Sequence, residues 1–312
     1  MPPSFRSSSG ARFAALLGIA CIGLAAAGCS SSSSSSSPSS SSPSAAAPSA
    51  SATGSGPVDV LYAGSLVDLM QNQLGPAFEK TTGYSVTGFS AGSKALATEI
   101  KGKVHEGDVF ISASPKVNLT LMGPKNGSWV SWYAEYASAA LVLGYNPNSK
   151  FAADLKSKPW YEVLTEPGIR LGFTDPATDP KGELTAEALK DIAAAKNLPA
   201  LKALASDQAD VFPEETLVGR LQSGQLDAGF FYTSEANAAK IPVVPLTGVA
   251  LKATYTVTVL NNAPHQSAAE AFVSYLLGPD AQAIFTQDGF KLITPPKVTG
   301  TAVPSGLQSM LS

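Results

Sequence analysis

The sequence is short of the residues that build most redox and metal sites. Of its 312 residues only two are cysteine and two are histidine. Cys21 and Cys29 both lie near the start, so a body beginning near residue 57 can hold neither a disulfide nor a thiolate metal site. Zinc sites need three or four clustered His, Cys or carboxylate groups, so His105 and His265 are expected as solvated surface residues. Basic charge is scarce as well, with 21 Lys and Arg against 24 Asp and Glu. That balance lacks the basic stripes that nucleic acid or heparin-like partners require. If the ligand is an anion, local dipoles must hold it against the overall field. The apolar run from Phe13 to Ala27 falls short of the roughly 20 residues that a membrane-spanning helix needs.

What the N-terminus does contain reads as an export leader, residues 1–28. Arg6 and Arg12 supply a positive start, and the apolar run closes on Ala26-Ala27-Gly28 before Cys29. Small residues ahead of a cysteine resemble the bacterial lipobox, with Ala26 where leucine is usual, so Cys29 is the expected lipidation site. Residues 29–56 are dominated by Ser, Ala and Pro, without side chains large enough to offset the entropy of ordering. They are expected to tether a folded body to the outer face of the cell membrane.

From Val58 onward, short apolar runs alternate with amphipathic stretches, the pattern of α/β architecture. Strands are expected at Val58–Tyr62, Tyr84–Thr87, Val109–Ile111, Ala139–Leu143, Ile169–Phe173, Ala228–Tyr232, Val243–Val244 and Tyr255–Leu260. Helices are expected from Leu66, from Lys94 to Gly102, from Leu184 to Lys196, from Thr216 to Ser223, and over Ser267–Leu277 and Asp280–Asp288. Gly278-Pro279 breaks the closing helix in two.

The recurring unit is a strand, then Gly/Ser/Ala, then a helix. It sets Ser65 and Ser93 at helix N-termini, where free N–H groups and the dipole hold an anion without a basic side chain. In open α/β sheets such turns lie at the carboxyl ends of strands, where ligands bind. The plainer reading is that each serine only caps its helix. A competing pattern is Gly88-Phe89-Ser90-Ala91-Gly92, a G-x-S-x-G match with Asp227 and His265 following in hydrolase order. Against a secreted serine hydrolase using Ser90, too few strands precede the turn and no HGGG-like oxyanion loop is present. A third reading, an adhesin, would use Trp129, Trp132 and Tyr133 as a sticky surface, although aromatics at such spacing usually form core.

At these residues the chain resembles the molybdate/tungstate-binding proteins of ABC importers, over essentially Val58 to the C-terminus. Ala63-Gly64-Ser65-Leu66 and Ala91-Gly92-Ser93 are similar to the family's two anion loops, and Gly107–Ser114 to its D-[VL]-F-I-S-A segment. Thr174–Gly182 resembles the D-P-x-x-x-P-x-G loop, and Phe231–Ala236 the Y-x-S-x-A segment bearing a ligand tyrosine. Gly278-Pro279, Ile284-Phe285 and Gly289-Phe290 are similar to the family's closing helix.

The resemblance implies a two-lobed, type II periplasmic-binding-protein-like fold. Two crossing strands, near Ala137–Leu141 and Leu251–Tyr255, would join the lobes around an oxyanion in the cleft. Lobe 1 would comprise 57–137 and 252–312, and lobe 2 residues 138–251. Ser65 and Ser93 would donate hydroxyls and N–H groups, Tyr232 a phenol, and the backbone near Lys181 and Glu214 further N–H groups. Features of the archaeal tungstate-type branch add direct ligation of Mo or W by two carboxylates. Asp179 matches one, and the other falls at Glu215 or one place either side. First-turn acids that favour the helix dipole are the plainer reading of Glu214-Glu215. The expected molecule is a monomeric, non-enzymatic lipoprotein without cofactor that captures molybdate or tungstate for importer membrane subunits. Phosphate and sulfate binding on the same fold are the alternatives.

Overall fold

The computed structural model describes residues 54–311. The leader, Cys29 and nearly all of the Ser/Ala/Pro-rich stretch lie outside the described residues. Strands β1 (Pro57–Ala63), β2 (Ser85–Ala91) and β3 (Val109–Ser112) form a parallel group with β1 in the middle. Val58, Val60, Val109 and Ile111 are fully buried, because helices cover this group. The segment between β1 and β2 is less regular than one helix. A 3₁₀ turn at Gly64–Leu66 leads through a π-helical stretch at Met70–Leu74 into the helix Gly75–Thr82. Pro76 cannot donate back into the helix, and a Cβ on Gly75 would stand 2.6 Å from the Met70 carbonyl. The turn therefore widens just ahead of the proline.

Strand β4 (Trp132–Tyr145) organises the rest and is far longer than the expected Ala139–Leu143. Its burial is nearly unbroken over 14 residues, since both faces are covered for most of its length. Over Ala134–Ala140 it pairs antiparallel with β8 (Lys252–Val259), which also pairs with β3. From Leu141 onward it pairs with β6 (Ala228–Tyr232) and β7 (Val243–Pro245). β6 takes β5 (Leu171–Gly172) as a parallel neighbour. At the handover, Leu141 N donates to Leu251 O at 2.9 Å. One strand thus passes from a first strand group into a second, and β8 returns beside it. The mixed sheet and its covering helices make the two-lobed α/β architecture.

Several expectations needed correction. β9 (Lys291–Gly300) was not foreseen, because Pro295-Pro296 argues against a strand. Its pairing with β4 covers Lys291–Leu292 and Lys297–Gly300, and the prolines fall in the irregularity opposite Glu135–Ala137. The long helix runs Pro180–Lys196, beginning four residues earlier than expected. Asp179 caps it, its side chain accepting from Lys181 N, and Pro180 occupies the first turn where no N–H is needed. Trp132 and Tyr133 are buried, which removes them from any sticky surface. His265 is not simply solvated. Its Nδ1 lies 2.9 Å from Asp108 Oδ2, and the buried Asp108 carboxylate also accepts the backbone N–H of His265 and of Asp59. The trio Asp59, Asp108 and His265 thereby fixes the start of the Gln266–Leu277 helix against β1 and β3.

The second group is pinned where β5 and β6 begin. Asp227 accepts from Arg170 Nε and Nη2, both at 2.8 Å, from Arg170 N at 2.9 Å and from Ser149 Oγ at 2.7 Å. Arg170 foremost holds the Asp227 carboxyl down at about 2, burial opposing it. A depressed carboxyl contributes stability above its unfolded value of about 3.9 and loses it as pH falls towards the folded value. Asp227→Asn is therefore expected to cost about 1.5 kcal/mol at pH 7, the low end for bonds to a charged group because Arg170 is half exposed. Urea midpoints should separate variant from parent at neutral pH and converge between about pH 4 and pH 2; a gap that persists at pH 2 would show a different origin.

Candidate ligand-binding site

The loops at the carboxyl ends of β1 and β2 both meet the second strand group. Gly64 lies so close to the Pro213–Gln222 segment that a Cβ on it would stand 2.6 Å from Glu214 Oε2 and 2.9 Å from Glu215 Oε1. A Cβ on Gly92 would stand 2.6 Å from Thr178 O and 3.1 Å from Asp179 Cβ. Glycine is required at 92, where a Cβ would meet the Thr178 carbonyl itself, whereas at 64 the nearest atoms are the carboxylate ends of Glu214 and Glu215. Lys94 N and Ala95 N then donate to Thr178 O at 3.1 and 3.0 Å, and Lys94 Nζ donates to Pro176 O at 2.9 Å. The two halves are closed on each other, with two grooves meeting at Glu214 and Glu215.

Both predicted serines are buried at this junction, each with a partner. Ser65 Oγ lies 3.0 Å from Tyr255 Oη, on the crossing strand β8. Ser93 Oγ accepts from Ala113 N at 3.1 Å, which ties the second loop to the end of β3 and leaves its hydroxyl proton free to donate elsewhere. The hydroxyls thus serve the fold as well as the junction.

The second group supplies a dense buried cluster. Asp179, Lys181, Glu214, Tyr232, Ser234 and Glu235 are all buried. Lys181 Nζ donates to both oxygens of Glu235 at 2.9 Å and stands 3.1 Å from Glu214 Oε1, an ion pair without hydrogen-bond alignment. Among the described residues, Asp179 Oδ2, both Glu214 oxygens, Tyr232 Oη and Ser234 Oγ have no hydrogen-bond partner. Four of these have no polar partner and Glu214 Oε1 has only the unaligned ammonium, and a buried polar atom left so carries a desolvation cost of about 1–3 kcal/mol.

The electrostatics follow from burial. Burial pushes the Glu214 carboxyl well above the usual range, with Asp179 and Glu235 adding to the effect and Lys181 opposing it. Glu235 is raised too, by burial first, against the pull of Lys181. Burial disfavours charge on Lys181, but Glu214, Glu235 and Asp179 outweigh it, so the ammonium is kept. Burial also raises the Tyr232 and Tyr255 phenols well above 10, so both remain neutral donors at physiological pH.

The resemblance had assigned Lys181 a backbone role alone. That N–H is already held by Asp179 Oδ1 at 2.8 Å, and the side chain is the buried feature. Glu215 is exposed whereas its neighbour Glu214 is buried, so the carboxylate turned into the cluster lies one place earlier than Glu215. Tyr255, Ser234 and Glu235 were missed. Glu235 could have been noticed from its place three residues after Tyr232, where its side chain reaches back to Tyr232 N at 3.3 Å. Tyr255 carried no local signal. The hydrolase pattern does not assemble, since Asp227 is engaged by Arg170 and His265 by Asp108.

A family model described as bacterial extracellular solute-binding protein matches residues 58–291. A putative ABC transporter molybdenum-binding protein of Haloferax volcanii is 30% identical, over 73% of this chain and 68% of its own length. A molybdate/tungstate-binding protein of Thermococcus kodakarensis is 24% identical, over 81% of this chain and 86% of its own. The periplasmic molybdate-binding protein of Azotobacter vinelandii shares the fold, with a TM-score of 0.60 at 23% identity, covering 76% of this chain and all of that one (100%).

The rim of the closed junction carries its own ion pair, Lys94 Nζ to Glu183 Oε2 at 2.6 Å, with Lys116 3.7 Å from the other oxygen. Both Lys94 and Glu183 are partly exposed, so Lys94→Met is expected to change unfolding free energy by less than about 1 kcal/mol. The same substitution should open the halves in ligand-free protein. Small-angle scattering would register a larger radius of gyration, and an unchanged radius would show that the rim pair does not hold them.

Proposed function

This chain belongs to the bacterial extracellular solute-binding proteins, and on that premise we propose that it captures molybdate or tungstate outside the cytoplasm for an ABC importer. The observation that carries the reading is the group of unanswered buried polar atoms where the two halves close. A fully deprotonated tetrahedral dianion offers acceptors only. Tyr232 Oη, Ser65 and Ser93 can donate to it, and the neutral phenols supply donors without adding charge.

The carboxylates select among dianions. Three carboxyl groups, Asp179, Glu214 and Glu235, face the single ammonium of Lys181, and with Glu214 ionised an anion bound only through its oxygens would meet repulsion at close range. Direct ligation of the metal centre by Asp179 Oδ2 and Glu214 removes that repulsion and gives both carboxylates a partner. Molybdenum and tungsten can enlarge their coordination shell to six, whereas sulfur in sulfate cannot. Glu214 takes this role in preference to the exposed Glu215. Phosphate is the second reading, because HPO4²⁻ carries a proton that the unpaired Asp179 Oδ2 could accept.

The rest of the reading completes the receptor. Residues 1–28 are removed, Cys29 carries the lipid, and residues 29–56 hold a monomeric body away from the membrane. Lobe 1 comprises 57–137 and 252–312, lobe 2 comprises 138–251, and importer subunits take the cargo from the closed form.

A thermal-shift panel with molybdate, tungstate, sulfate and phosphate tests this. A ligand at a hundredfold excess over its Kd adds about 2.7 kcal/mol, or roughly 5–10 °C in Tm for a body of this size. Molybdate and tungstate should produce that shift and sulfate none, and Asp179→Ala should remove it. A response to phosphate alone would overturn the cargo assignment, and no response to any oxyanion would overturn the receptor reading.

A further inference from the structure

We propose that the buried Lys181–Glu235 ion pair sets the charge that an incoming oxyanion meets: Lys181 draws the dianion in, and Glu235 limits that pull. This rests on the oxyanion reading above and assigns roles to two side chains which that reading leaves idle. Neither belongs to the residue types by which the resemblance was recognised. Lys181 stands at the unspecified place of P-x-G and Glu235 at that of Y-x-S-x-A.

The geometry supports a charge-setting role more than a packing one. Lys181 is completely buried, with its Nζ enclosed by both Glu235 oxygens at 2.9 Å, by Glu214 Oε1 at 3.1 Å, and by the rings of Phe231 and Tyr232, whose centroids are 5.7 Å away. A hydrophobic side chain of similar volume would fill that space without the desolvation cost of an ammonium, so packing alone gives no reason for a charge there. Lys181 follows Asp179 by two residues and touches Glu214, so its charge sits directly behind the two proposed ligand carboxylates. It is a positioning residue. It holds Glu214 and offsets the negative charge that the carboxylates would otherwise turn on the anion. Glu235 donates nothing to the cargo. It ties down the ammonium and, through Oε2, accepts from Tyr232 N at 3.3 Å. At an effective dielectric near 20, a unit charge enclosed this close to the proposed ligand carboxylates changes the affinity for a dianion by at least tenfold.

Isothermal titration of the purified body with molybdate at pH 8 tests the inference with three variants. Lys181→Met should weaken binding at least tenfold, about 1.4 kcal/mol. Glu235→Gln, which keeps an oxygen for Tyr232 N, should tighten it several-fold. The double variant restores the net charge of the parent cluster and should bind within about threefold of it. A purely structural pair would weaken binding in all three, so weakened or unchanged affinity in Glu235→Gln overturns the inference. A double variant as weak as Lys181→Met would overturn it as well. Should Lys181→Met prove too unstable to titrate, Glu235→Gln and the double variant decide between the same outcomes. Failure of the unsubstituted protein to bind any oxyanion would instead strike the reading on which the inference rests.

Discussion

Charge removed from water must be answered inside the protein, and the ammonium of Lys181 faces that requirement directly. It is fully buried, and its nearest neighbours are Glu214 and Glu235, with Asp179 beside them. A buried ion pair gives little net stability, because desolvation consumes most of the Coulombic gain. Its effect here is organisational. It brings together the starts of three helices, Pro180–Lys196, Glu214–Gln222 and Thr233–Ala238, around one cation. The half-site so formed holds three carboxyl groups around one ammonium and leaves buried polar atoms without a hydrogen-bond partner.

The other half of the site is built on different physics. The turns after β1 and β2 contribute backbone and small side chains, and the glycines at 64 and 92 let that backbone reach Glu214 and Thr178. N–H groups at the start of the Ser93–Gly102 helix close onto Thr178 O. A dipolar, nearly uncharged surface thus meets a charged one. β4 and β8 make the meeting possible, because each continues from one strand group to the boundary of the other without a flexible linker between them. β4 changes partners at Leu141, whose N–H donates to Leu251 O. The exposed Lys94–Glu183 pair lies at the rim, where salt and solvent weaken it, while the charges that matter for a ligand are enclosed.

Strand–turn–helix units were legible because their causes are local. Val58–Tyr62 is an apolar run interrupted only by Asp59, Gly-Ser follows, and the helix carries apolar side chains at helical spacing. Asp179-Pro180 is also a local start signal, a cap that precedes the apolar periodicity beginning at Leu184. β9 was illegible for the opposite reason. Its prolines forbid a regular strand, and only the bulge in β4 supplies a place for them. Trp132 and Tyr133 could be read as surface or core until β4 was seen to have neighbours on both edges.

The sequence by itself determined the α/β alternation, the helix-terminal serines, the poverty in thiols and basic charge, and the family pattern that joins these to an oxyanion. All of these depend on residue type and short spacing. Tertiary structure alone decided that Glu214 and not Glu215 turns inward, that Tyr255 lies against Ser65, and that Lys181 contributes its ammonium as well as its amide. Those outcomes depend on which groups meet across separations such as 54 residues for Lys181 and Glu235 or 190 for Ser65 and Tyr255, and on whether water is left to answer a charge; short-range patterns hold neither kind of information.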